Sequence, residues 1–188
     1  MPNYRRYPAS GGLYFFTVVT YDRQPILCTD DSRRMLREAI EETRRDHPFE
    51  TVAWVLLPDH LHCIWKLPDG DGDFSTRWRL IKARFTRLYV AGDPRRVRAQ
   101  HAPNVIPTDS HQRRLEHYVW QRRFWEHRIR DEGDLSRHID YVHYNPVKHG
   151  LVEEAVDWPC STVHRPEYRA MWEGGRIVAR DVSALDYE

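Results

Sequence analysis

Two apolar runs, Phe49 to Leu57 and His60 to Leu67, are separated only by Pro58-Asp59, and no other feature limits the possible folds of this chain as much. Both runs read as strands, with Pro58-Asp59 as a tight connection between them. The second carries His60-Leu61-His62-Cys63-Ile64-Trp65. Side chains alternate faces along a strand, so His60 and His62 share one face while Leu61 and Cys63 point into the other layer. Two imidazoles roughly 6–7 Å apart at the Cα level can converge on one divalent ion.

Around this pair the periodicity predicts a strand over Tyr14 to Tyr21. A helix follows from about Asp30 to Arg45, with Asp30-Asp31-Ser32 offering N-caps and Met35, Leu36, Ala39 and Ile40 as its apolar positions. Strand, helix, strand, strand is the start of a ferredoxin-like α+β sandwich. We therefore expect an antiparallel sheet with helices on one face. Pro68 to Asp73 reads as a loop, and Trp78, Ile81, Phe85 and Leu88 mark an amphipathic helix with arginines outward. Gly92 to Ser110 reads as an exposed basic loop, and Val119 to Ile129 as a strand. A last helix runs from about Leu135 to Lys148 and is closed by Gly150 as its C′ residue. The tail from Leu151 shows little regular pattern.

The 188 residues fit one ordinary domain, expected over 1–165, with a tail of no assigned role over 166–188. No apolar run is long enough to cross a membrane, and the N-terminus lacks the apolar segment of a signal peptide. Cys28, Cys63 and Cys160 are isolated, without zinc-ribbon or disulfide-framework spacing. A cytoplasmic protein with no membrane partner is expected. The net charge of +1 hides an asymmetry. From Arg77 to Gln100 eight Lys/Arg face one acid, and from His111 to Arg130 six arginines face two. Such a basic middle third suits nucleic acid rather than a small-molecule substrate. Arg77, Arg79, Lys82, Arg84, Arg87, Arg122, Arg123 and Lys148 are its candidate DNA contacts.

Tyr141 and Asn145 stand at i and i+4 of the last helix, one above the other on a face that also holds His138. Tyr144 leaves the helix on another bearing and is the competing tyrosine. Pro146 lacks the ladder N–H and is expected to open this end of the helix. A phenol has a pKa near ~10, so a tyrosine attacking a phosphodiester needs a metal ion to polarise the phosphate. His60, His62 and an amide oxygen from Asn145 would supply three ligands beside Tyr141. By ligand chemistry alone, imidazole and amide suit zinc or another transition metal better than magnesium.

The His-hydrophobic-His strand, the later single tyrosine, Asn145-Pro146-Val147-Lys148-His149-Gly150-Leu151-Val152 and Trp158-Pro159-Cys160-Ser161 together resemble the REP-associated tyrosine transposases. These are relatives of the single-strand insertion-sequence transposases in the HUH endonuclease superfamily. Arg77-Trp78-Arg79-Leu80-Ile81-Lys82 also resembles the basic helix of that family. The resemblance runs from the first strand to about His164. It implies His60, His62 and Asn145 as ligands of magnesium or manganese and Tyr141 as nucleophile. It also implies cutting and rejoining of single-stranded or hairpin (REP-type) DNA through a 5′-phosphotyrosine, by a monomer. Two rival expectations are a hairpin-binding protein that no longer cuts and a metal-dependent phosphoesterase that uses water.

Overall fold

The computed structural model describes residues 12–92 and 118–173, with side chains to 169. Beyond Gly92, the expected basic loop lies outside these residues, as does the chain after 173. The strands are β1 (Leu13–Val19), β2 (Glu50–Leu56), β3 (His60–Lys66) and β4 (Trp125–Arg128). The helices are α1 (Asp30–Asp46), α2 (Phe74–Gly92), α3 (Glu132–Lys148) and α4 (Pro166–Glu173). The sheet order is β2-β3-β1-β4, and every neighbouring pair is antiparallel. With the chain order β1-α1-β2-β3-α2-β4 this is the ferredoxin-like arrangement expected from the sequence.

Helices cover both faces rather than one. Tyr14, Phe16 and Val18 of β1 and Leu61, Cys63 and Trp65 of β3 face α1 and α2, where Trp65 stacks on Trp78 at 4.2 Å. Their sequence neighbours Phe15 and Ile64, with Ala53 and Val55 of β2, face the other way and pack with Tyr141 and Val142 of α3. A sheet that is apolar on both sides needs two covering layers. The expectation of helices on one face holds for α1 and α2 alone, and α3 supplies the second layer.

Local signals account for most boundaries. Thr29 caps α1, its side chain accepting from the Ser32 N–H at 3.2 Å, so Asp30 is already helical instead of serving as the cap. The expected strand from Val119 shrinks to the four residues of β4. Val119 and Trp120 are buried in the α1/α2 layer, and exposed Gln121, Arg122 and Arg123 carry the chain out before β4 begins. Asp131 caps α3 by accepting from Asp134 N–H at 2.8 Å. At the other end Gly150 takes φ +65°, and the bonds Gly150 N–H to Val147 and Leu151 N–H to Pro146 close a Schellman turn. Pro146 is buried and the turn closes over it, so this helix end is not opened as expected.

The segment after Leu151 is more ordered than its sequence suggested. It lies along the outer side of β2. Trp54 N–H bonds Thr162 Oγ1 at 2.8 Å, Leu56 N–H bonds the Cys160 carbonyl at 2.9 Å, and Trp158 Nε1–H reaches the Leu56 carbonyl at 2.9 Å. Arg165 and Tyr168 donate to the carbonyls of Thr51 and Val52. Residues 166–173, expected as part of a featureless tail, form α4.

Candidate active site

The strand register places His60 and His62 on the α3 side of the sheet. Each histidine is fixed through Nδ1. His62 Nδ1 lies 2.8 Å from Thr17 Oγ1, the residue opposite it on β1. His60 Nδ1 lies 2.6 Å from Asp59 Oδ1. Asp59 is itself held in place by the short connection. Its carbonyl accepts from the Thr20 N–H and hydroxyl, both at 2.8 Å, and its carboxylate meets Arg23 at 3.3 Å. Asp22 and Arg23 adopt left-handed backbone, at φ 52° and 48°, to make that reach. Burial pulls the Asp59 carboxyl upward. The His60 hydrogen bond and charge, with Arg23, more than offset this and hold it below its ordinary value.

Bonding through Nδ1 leaves Nε2 of each ring facing the site. The rings lie nearly perpendicular with centroids 4.9 Å apart. Both side chains are buried, and neither Nε2 has a hydrogen-bond partner among the described residues. Burial first, then the charges of His60, His149, Lys148 and Arg23, push the His62 pKa well below the usual imidazole value. At neutral pH His62 is therefore an uncharged donor with a lone pair available.

From the α3 side come Tyr141 and Asn145, both fully buried. The Tyr141 ring lies 5.1 Å from His62, edge to face, and Lys148 Nζ sits 5.2 Å from the Tyr141 ring centroid. Among the described residues neither amide atom of Asn145 has a hydrogen-bond partner. Leaving two imidazole nitrogens and a primary amide buried without partners costs several kcal/mol in an apolar interior. The same atoms are suitable donors for a divalent cation, so the residues present fit the metal that the sequence suggested. Tyr144, the competing tyrosine, is half-buried and packs on the α3-side core.

Other histidines near the site were not among the ligands expected from sequence. His149, the C-cap of α3, stands 5.1 Å from the His60 ring. Its spacing of four from Asn145 was the available signal. On the far side of Phe15, whose ring lies 5.5 Å from His62 and 5.0 Å from His138, there is a second polar cluster. There His127, Asp134 and His138 bring ligand atoms within 4.8 Å of one another, so by residue type they could hold a cation. Asp134, however, already meets His127 at 2.9 Å, Arg130 at 3.0 Å and Arg137 at 3.5 Å. Burial raises its pKa, but Arg130 and His127 outweigh this and hold it far down.

The expected DNA contacts divide. Arg77 is 1 % exposed, and its guanidinium is consumed by Asp71 and by the carbonyls of Asp73, His47 and Pro48. Lys82 is buried and donates to the Gln121 carbonyl at 2.9 Å, beneath Phe124. Arg84 bonds Thr43 and pairs with Glu42 and Asp46, tying α2 to α1. These three build the fold and are removed from the solvent face on which they were expected. Arg79, Arg122 and Arg123 are exposed, and Arg87 is exposed with a 3.7 Å contact to Glu42. Lys148 is half-buried against Tyr141.

No family model matches the chain. A REP-associated tyrosine transposase of Escherichia coli K12 is 45% identical over 172 residues, covering 92% of this chain and 88% of the relative. A relative from Haemophilus influenzae is 45% identical over 165 residues, 88% of this chain and 87% of its own length. The chain also superimposes, with TM-score 0.70 and 45% identity over 92% of its length and 88% of the other's, on a solved REP-associated tyrosine transposase bound to a REP hairpin. At this identity and coverage, the chain belongs to the REP-associated tyrosine transposases, and its activity is that of a transposase.

Proposed function

We propose that this protein binds single-stranded DNA bearing a REP-type hairpin and cuts and rejoins it through Tyr141, assisted by a divalent ion. The observation that carries this reading is the set of buried, partnerless donors, Nε2 of His60 and His62 and the Asn145 amide, one turn from a tyrosine. Bound there, magnesium or manganese would polarise a non-bridging phosphate oxygen. Asp59 and Thr17 hold the two imidazoles in the tautomer that presents Nε2. Tyr141 Oη attacks phosphorus, the bond to the 3′-oxygen breaks, and a 5′-phosphotyrosine forms. The proton lost by the phenol is balanced by the one the 3′-oxygen takes up. Reversal by a 3′-hydroxyl restores the strand without an external energy source. Lys148 brings positive charge to the place where negative charge gathers.

Tyr141 is fully buried, so attack also requires the site to open and admit the phosphate. The REP hairpin in the solved relative supports this choice of substrate. The decisive experiment incubates the protein with single-stranded hairpin DNA and manganese and resolves products on a denaturing gel. A covalent adduct mapped by mass spectrometry to Tyr141, and absent in Tyr141→Phe, is expected. Cutting without an adduct would move the protein to the water-using phosphoesterases, and an adduct on Tyr144 would refute the assignment.

A further inference from the structure

Thr17 of β1 is the register partner of His62 on β3 and also of Trp125 on β4. The three form one row across the sheet, pointing to the α3 side. Strands lie about 4.8 Å apart, which puts Trp125 about 10 Å from His62 at the Cα level. Phe15 bridges the gap, with its ring 5.5 Å from His62 and 5.6 Å from Trp125. Trp125 also ends a ladder of parallel rings. It lies 5.9 Å from His127 at an interplanar angle of 6°, and His127 lies 4.7 Å from His138 at 10°. The inner ring, His138, is fully buried, whereas Trp125 is 39% exposed. Leu151 is the other large hydrophobic exposed among the described residues.

A tryptophan backed by stacked rings and 39% exposed offers a rigid aromatic surface at little cost in side-chain entropy. Arg122 and Arg123, three and two residues before it in the chain, are exposed. Cationic neighbours suit a phosphodiester backbone better than an apolar protein partner. The row geometry gives the position along that backbone. A phosphate seated between His60 and His62 would lie about 10 Å from Trp125, a gap that roughly one or two extended nucleotides bridge.

We propose that Trp125 is a stacking platform for an unpaired nucleobase within two nucleotides of the phosphate that is cut. His127 and His138 are positioning residues that hold the indole upright, with Asp134 anchoring both. The assignment rests on the reading of His60, His62 and Tyr141 given above, and it adds a subsite on a different strand.

Abasic scanning tests it. Each nucleotide of the single-stranded flank of a hairpin oligonucleotide is replaced in turn by an abasic site. Binding is then measured by fluorescence anisotropy in EDTA, so that nothing is cut. For the wild type, one abasic position should weaken binding about 5- to 150-fold, the range for one base stacked on an aromatic ring. Trp125→Leu should lose a similar factor on intact DNA and lose little more on the abasic DNA, while Trp125→Phe should retain part of the affinity. Thermal melts of both variants control for folding, and Leu preserves the packing on Phe15. Multiplicative losses, no position coupled to Trp125, or coupling only at a base more than two nucleotides from the mapped cut would overturn the proposal. Coupling without a Tyr141 adduct would keep the platform and refute the nucleophile. An adduct without coupling would do the reverse.

Discussion

Thr17→Val isolates the support beneath the metal site. Thr17 is buried in the middle of β1, and its Oγ1 lies 2.8 Å from His62 Nδ1. Valine keeps the branched shape and the strand preference and removes only the hydroxyl. Two costs follow. The His62 Nδ1–H is left buried without an acceptor, for a loss of about 1–3 kcal/mol in folding stability. The ring also loses the bond that fixes its tautomer and orientation, and such second-shell losses typically weaken metal affinity by about 10- to 100-fold. Isothermal titration with manganese, beside denaturant melts, measures both. Thr43→Val is the control, because Thr43 donates to the Ala39 carbonyl at 2.7 Å in α1, remote from the site, and should lower stability alone. If Thr17→Val binds manganese as tightly as the wild type, either the metal is not held at His62 Nε2 or the Thr17 bond does not orient the ring.

Arg77→Met should cost about 3 kcal/mol or more in a denaturant melt, since it strips the partner from Asp71 and three carbonyls. It should leave hairpin affinity unchanged, and a stable variant with weak DNA binding would reverse that assignment. Replacing exposed Arg79, Arg122 and Arg123 together by alanine should weaken hairpin binding and flatten its log–log salt slope by about 2–3. Melting temperature should hardly move, and an unchanged slope would exclude them from the footprint. His143 is buried, and that burial, reinforced by Arg165 and His164, depresses its pKa to about 3. The unfolded chain binds this proton below about pH 6.5 and the folded chain does not, so stability should fall as pH drops through that window. By pH 5 this group alone should account for a loss of about 2 kcal/mol relative to pH 7. His143→Gln, which does not titrate, should lack that part of the acid loss.

The two-residue period of β3 was enough to put His60 and His62 on one face, because alternation is a local property of the chain. The i, i+4 spacing did the same for Tyr141 and Asn145. What supports them was not legible. Thr17 lies opposite His62 only through a β1–β3 register spanning 45 residues, and Asp59 reaches His60 only because Thr20 and Arg23 clamp the connection. Arg77 belongs to a helix whose sequence pattern put arginines outward. Its burial follows from Asp71 and the carbonyls of His47 and Pro48 meeting at its tip, two loops that come together only in the folded chain. The second helical layer was missed for a related reason. Phe15, Ala53, Val55 and Ile64 read as ordinary strand residues until the alternation is followed through all three strands, when both sheet faces prove apolar.

The segment from Trp158 to Tyr168 has a consequence for any truncation of this protein. Left bare, β2 would end the sheet with a row of unsatisfied amides and carbonyls, a template on which another chain could add a strand. Here Trp158, Cys160, Thr162, Arg165 and Tyr168 occupy those groups between Thr51 and Leu56. The segment acts as a guard against self-association as well as a bridge to α4. A shortened protein that stops before Trp158 would present an adhesive border, and its loss of activity would report aggregation rather than chemistry. A protein shortened after Glu173 keeps the border sealed.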